Sequence, residues 1–159
     1  PQEPSIFKKL TVEENILILW EVVKNVHKSD YEKRLTKLLK ELGLTHLRKS
    51  KGIELSGGEK RRVEIARTLA MDPSFILLDE PFAGIDPIAV SEIQEIIGGL
   101  KEKNYGVLIT DHNVRETLSI TERAYIIHEG KFLLSGDSQT VANDPIAKKL
   151  YLGESFTLQ

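Results

Sequence analysis

The 159-residue chain contains no cysteine, which excludes disulfide frameworks, thiol nucleophiles and cysteine-based zinc sites. Its four histidines, His27, His46, His112 and His128, are not grouped at metal-ligand spacing. An excess of one charge is also lacking, since 22 basic and 24 acidic side chains leave a net charge of -2. That balance lacks the basic footprint of a nucleic-acid-binding domain. No apolar run approaches the ~20 residues that cross a bilayer, so a membrane role is expected only through a partner, without direct insertion. The opening residues do not have the pattern of a signal peptide. They read Pro1-Gln2-Glu3-Pro4 without an initiator methionine, as expected of a chain that is cut, processed or incomplete. Internal repeats and low-complexity stretches are absent.

The composition is that of an ordinary globular domain, with 40% hydrophobic and 29% charged residues. The first half reads as helical. Thr11 and Glu14 have capping-box spacing, followed by Val12, Ile16, Leu19, Trp20 and Val23 at helical intervals. Ser29 and Glu32 repeat the capping signal ahead of Leu35, Leu38, Leu39 and Leu42, with Gly43 as the stop. The two helices are expected to pack through their leucine faces.

The second half alternates in type. Phe75-Ile76-Leu77-Leu78 reads as a buried parallel strand. Asp86-Pro87 is an N-cap with proline at the first helical position, opening a helix that carries Ile88, Ile93, Ile96, Ile97 and Leu100. Val107–Thr110 is a second apolar strand, completing a βαβ unit with parallel strands and a right-handed crossover. A short helix near 113–118 precedes two runs around Glu129-Gly130 that signal an antiparallel hairpin. The expected fold class is α/β, with a helical lobe over 1–70 and an α/β lobe over 71–159.

Three segments carry chemistry. In Leu55-Ser56-Gly57-Gly58-Glu59, the glycines allow close backbone approach and Ser56 offers a hydroxyl. The following helix, rich in Lys60, Arg61, Arg62 and Arg67, points unpaired N–H groups and its dipole at an anion such as phosphate. Ser56 and Glu59 equally form a capping box after a glycine loop. Asp79 and Glu80 end the first strand in the crevice where open α/β sheets bind ligands. There Asp79 suits Mg²⁺ and Glu80 suits polarising a water, although a solvated strand end before Pro81 explains the pair as well. His112 follows the second strand and is expected on the same edge as Glu80, in reach of a γ-phosphate. A lone histidine at a strand end is more often a satisfied polar residue.

In order, Gln2, Leu55–Glu59, Phe75–Glu80, Gly84-Ile85-Asp86 and His112 resemble the Q-loop, signature, Walker B, D-loop and H-loop of the ABC ATPase family. The resemblance covers essentially the whole chain and implies a partial P-loop NTPase fold, with a helical subdomain followed by the C-terminal part of the α/β core and a terminal hairpin. It implies that Gln2 contacts Mg²⁺ and water and senses a transmembrane partner. Ser56, Gly57 and Gly58, with Glu59, would bind the γ-phosphate of ATP held by a second copy in a head-to-tail dimer. Asp79 would serve Mg²⁺, Glu80 would be the general base, Asp86 would communicate across the dimer and His112 would be the switch histidine. The D-loop reads Ala83-Gly84-Ile85-Asp86, a mild departure from Ser-Ala-Leu-Asp that keeps the aspartate.

Glu80–Pro87, Ile109–Leu118, Gln2–Phe7 and Tyr151–Phe156 further resemble the branch of the family that powers lipopolysaccharide export, with branched-chain amino-acid importers as the alternative. This resemblance implies transmembrane permease partners and a cytoplasmic position, peripheral on the inner face of the inner membrane. Ile6, Phe7 and Leu10 are candidates to line a groove for the permease, or else ordinary core residues. A soluble ABC protein and a non-catalytic interaction fragment are the competing classes.

A P-loop, Gly-x-x-x-x-Gly-Lys-[Ser/Thr], is missing from these 159 residues. The nearest spacing runs from Gly52 to Gly57, but Gly58 stands where the lysine is required. The chain alone is expected neither to bind ATP tightly nor to hydrolyse it. Its sheet is expected to expose a hydrophobic edge that favours aggregation, strand exchange or a non-native dimer.

Overall fold

The computed structural model describes residues 5–23, 26–153 and 156–157, so Gln2 lies outside the described residues. They form two compact units, 1–110 and 111–159. The motif-based division at 70/71 falls inside the first of these.

In the first unit, α1 (Val12–Val23) starts at the expected capping box. The Thr11 amide donates to Glu14 Oε2 at 2.7 Å, and the Glu14 amide donates to Thr11 Oγ1 at 3.3 Å. Helix α2 (Tyr31–Glu41) departs from expectation, because Ser29 and Glu32 do not cap it. Lys28–Asp30 form a 3₁₀ turn, Asp30 occupies the N-cap position without a side-chain bond, and Arg48 takes the Glu32 carboxylate in a bidentate pair at 2.8 and 2.7 Å. A guanidinium 16 residues away thus outcompetes the local capping interaction. The end of α2 follows the sequence. Gly43 at φ +64° lets the Leu44 amide reach Leu39 O at 2.8 Å, closing a Schellman motif.

Helix α3 (Gly57–Ala70) lies against α1 and α2. Val12, Ile16, Leu35, Leu39, Leu44, Val63 and Ile65 fill the core between them. Trp20 joins two helices by donating its indole N–H to Ala70 O at 2.7 Å. Of the candidate groove residues, Ile6 turns into the core. Phe7 stays exposed beneath the Arg67 guanidinium, 4.9 Å from its ring centre.

Strands β1 (Phe75–Asp79) and β2 (Gly106–Thr110) pair in parallel, with Phe75 opposite Gly106 and Asp79 opposite Thr110. They are joined through α4 (Pro87–Glu102), whose N-cap Asp86 accepts from the Ile88 and Ala89 amides. The expectation of strands buried on both faces is corrected. Ile76 is buried, but Phe75, Leu77 and Leu108 are 55%, 71% and 47% exposed. Side chains of a strand alternate in direction, and α4 packs against β2, while the face bearing Leu77 has no cover among the described residues.

The second unit contains α5 (Val114–Leu118), the antiparallel hairpin β3 (Arg123–His128) and β4 (Lys131–Asp137), then α6 (Ser138–Asn143) and α7 (Pro145–Ala147). Glu129 and Gly130 both have positive φ, at +49° and +74°, which suits the right-handed twist of the strands they join. Leu118, Val141, Ala142 and Phe156 form its core. Among the described residues, no helix is long and apolar enough to cross a membrane.

Candidate functional site

Ser56 is the N-cap of α3, and both halves of its capping box are present. The Ser56 amide donates to Glu59 Oε2 at 2.7 Å and the Glu59 amide to Ser56 Oγ at 3.3 Å. Glu59 is therefore committed to the backbone of the loop. The two glycines between them have different reasons to lack a side chain. A Cβ on Gly58 would stand 2.5 Å from Ala89 Cβ, so Gly58 permits α3 to meet α4. A Cβ on Gly57 would come 3.3 Å from Ile85 Cγ2 and 3.6 Å from Gly84 O, although Gly57 itself is exposed. The signature segment thus rests directly on the Gly84–Asp86 turn and the start of α4.

The basic residues of α3 are mostly used inside the unit rather than offered to an anion. Arg61 pairs with Glu64, Arg62 with Glu92, and Arg67 donates to Ser5 O at 2.6 Å. Burial pulls the Arg67 pKa below the ordinary guanidinium value, opposed by the charge of Glu64. Any anion at this helix end would therefore rely mainly on the first-turn N–H groups, which have no intrahelical acceptors, and on the dipole.

At the end of β1, Asp79 is exposed and its Oδ1 accepts from Thr110 Oγ1 at 2.5 Å across the strand pair. Sequence reading missed Thr110 as the residue that orients this carboxylate. The register Asp79 opposite Thr110 supplies the reason. Glu80 follows at φ +47°. Its amide donates to Thr110 O at 2.7 Å, and its carbonyl accepts from the Ala83 amide at 3.2 Å and from Arg61 at 3.0 Å. The turn places Pro81 and Phe82 in the interior.

Groups of three or more potential metal-ligating side chains are absent among the described residues. One exposed carboxylate fits Mg²⁺, which keeps several waters and is held by one or two carboxylates together with substrate phosphates.

His112 belongs to the second unit, and its side chain is 68% exposed. Its neighbour Asp111 is fully covered and accepts from the Asn113 amide at 2.8 Å, fixing the turn ahead of α5.

The ABC transporter family profile matches residues 1–83. The chain belongs to the ABC transporter ATP-binding family. It is 54% identical over 158 residues to the lipopolysaccharide export system ATP-binding protein LptB of Acidithiobacillus ferridurans, covering 99% of this chain and 65% of that protein. The Haemophilus influenzae protein of the same name is 52% identical, with 99% and 66% covered. The chain therefore spans just under two thirds of these relatives' length. Among solved structures, the ADP conformation of MJ1267, an ATP-binding cassette of an ABC transporter, superposes with a TM-score of 0.79. The two are 30% identical, over 96% of this chain and 66% of that one. The mixed helix-and-strand fold is accordingly that of part of an ABC ATPase cassette.

Proposed function

We propose that this chain is the signature- and Walker B-bearing part of an ABC ATPase subunit that hydrolyses ATP to drive lipopolysaccharide export. The observation that carries the reading is the seating of Ser56–Gly58 on the Gly84–Asp86 turn, with α3 bonded through Arg61 to the Glu80 backbone. One rigid assembly thereby holds both an anion-facing helix end and a strand-end carboxylate pair.

In this reading Glu80 accepts the proton of the attacking water, a contribution of about 10²–10⁴-fold for a positioned base. Asp79, oriented by Thr110, holds Mg²⁺, which when bound neutralises charge on the phosphates. The Ser56 hydroxyl and the Gly57 and Gly58 amides contact the γ-phosphate of ATP held by a second copy. Asp86, besides capping α4, communicates across that dimer. Gln2 contacts Mg²⁺ and water, His112 orients the γ-phosphate, and Phe7 faces the transmembrane permease. The subunit sits on the cytoplasmic face of the inner membrane through that permease.

The 159 residues contain no Gly-x-x-x-x-Gly-Lys-[Ser/Thr] motif, so by themselves they are expected to be inactive. Purified 159-residue chain is expected to show no turnover, and turnover abolished by Glu80→Gln would refute its inactivity. The transport assignment is tested with the P-loop-bearing subunit. It should co-purify with permease subunits and show Mg²⁺-dependent ATP hydrolysis lowered about 10²–10⁴-fold, to a measurable residual rate, in Glu80→Gln, with lipopolysaccharide export depending on it. Co-purification with a branched-chain amino-acid permease would replace the substrate while keeping the ATPase.

A further inference from the structure

Glu80 adopts a backbone conformation that residues other than glycine seldom occupy. Among the described residues, Asp72, Asn104 and Glu129 share a positive φ. Asp72 and Asn104 follow the ends of α3 and α4, and Glu129 forms the hairpin turn. Glu80 instead sits at a strand end, and such strain persists where surrounding structure over-determines it. Two long-range bonds do so here. Its amide is held by Thr110 O, and its carbonyl accepts from an Arg61 terminal nitrogen at 3.0 Å.

Arg61 is itself fixed. It is 8% exposed, and its other terminal nitrogen donates to Glu64 Oε2 at 3.0 Å. Glu64, also 8% exposed, turns its second oxygen to the Ser5 amide at 2.5 Å. A continuous path thus runs from the Ser5 backbone through a buried carboxylate and a buried guanidinium to the Glu80 peptide. The planar, forked guanidinium suits this task because it donates in two directions at fixed geometry, which an ammonium on a flexible stem does not reproduce.

We propose that the Arg61–Glu64 pair is a positioning device for Glu80, locking the strained peptide so that the carboxylate is presented at one angle and tying it to the Ser5 segment. Arg61 and Glu64 are positioning residues that act through the Glu80 peptide. The inference rests on the assignment of Glu80 as the base.

The test uses the P-loop-bearing subunit in complex with its permease, comparing Arg61→Lys and Glu64→Gln with the parent protein. Arg61→Lys keeps the charge and loses the fork, whereas Glu64→Gln keeps an acceptor for Ser5 and weakens the hold on Arg61. Arg61→Lys is expected to lower kcat about 10- to 100-fold, the scale of a small misplacement of a reacting group. Its KM for ATP should stay within about twofold of the parent, as for an interaction realised only in the transition state. Glu64→Gln should lower kcat less, and it carries the test if Arg61→Lys does not fold. On a Glu80→Gln background, Arg61→Lys should add no further loss.

Unchanged kcat in both variants, or a full additional loss on the Glu80→Gln background, overturns the proposal. A fall in thermal stability with normal kcat per folded molecule also overturns it, because it marks a merely structural pair. Lack of ATP turnover in the parent, or unaltered turnover in Glu80→Gln, instead refutes the functional reading on which the inference rests.

Discussion

The helical part of the first unit and its strand pair use similar apolar residues and reach opposite outcomes. Around α1, α2 and α3, Ile16, Leu35, Leu39 and Leu44 are at most 1% exposed. A buried amide between α1 and the segment before it is also fully paired. Buried Asn15 accepts from the Phe7 amide at 2.8 Å and donates to the carbonyls of Phe7, Leu10 and Thr11. On β1, Leu77 is 71% exposed, although Ile76 beside it is at 1%. Three amphipathic helices close a core by turning their stripes inward, whereas a two-stranded sheet has two faces and needs a layer on each. Apolar composition therefore shows where burial is wanted, and layer count decides where it is achieved.

The largest expected effect probes the closed side. Leu39→Ala should cost about 2–5 kcal/mol in chemical denaturation, as large-to-small changes at enclosed core sites do. A cost below about 1 kcal/mol would mean that this core is looser than its burial indicates.

Next comes the junction between the two regions. Gly58→Ala places a methyl 2.5 Å from Ala89 Cβ, and the overpacking should cost about 1–3 kcal/mol. Gly58→Ala combined with Ala89→Gly should recover most of that loss, whereas no recovery would place the constraint elsewhere.

A smaller effect concerns acid stability of the helical part. Arg48 holds the Glu32 carboxyl at about 2, against an ordinary value of 4.5, while Lys49 and Arg48 lower that of Glu13. Because the folded values are depressed, this stabilisation is present above pH 4.5 and is lost as pH falls from 4.5 toward 2. Arg48→Met should flatten the stability profile in that window and leave its slope above pH 5 unchanged. Titration of folding between pH 2 and 7 reads this out.

Least affected should be the open side. Leu77→Ser in the 159-residue chain should change unfolding free energy by under about 0.5 kcal/mol, as surface substitutions do. It should at the same time reduce self-association in light scattering, because an uncovered apolar face invites association with another apolar surface. A cost of several kcal/mol would show that Leu77 is covered in solution.

Features governed by neighbours in the chain were legible before any coordinates. The Thr11–Glu14 and Ser56–Glu59 boxes, the Asp86 cap, the Gly43 stop and the Glu129-Gly130 turn each depend on residues within a few positions. The failure at Ser29 and Glu32 has the complementary cause, because Arg48 arrives from outside that range. The order of the chain's segments is also what proposes the candidate site. Thr110 on Asp79 and Arg61 on Glu80 were not legible, since nothing local distinguishes an arginine that will be buried and paired from one facing solvent.

The sequence by itself determined most of the element types and many of their ends, and it supplied the residue types on which the proposed chemistry at Ser56–Glu59, Asp79, Glu80, Asp86 and His112 rests, because capping, periodicity and residue type act over short distances. Only the tertiary structure decided that Gly58 makes room for Ala89, that the α3 arginines face inward and that Glu80 is clamped in a strained turn. Those outcomes depend on which surfaces meet, and contacts between residues distant in the chain are set by packing and desolvation of the whole unit.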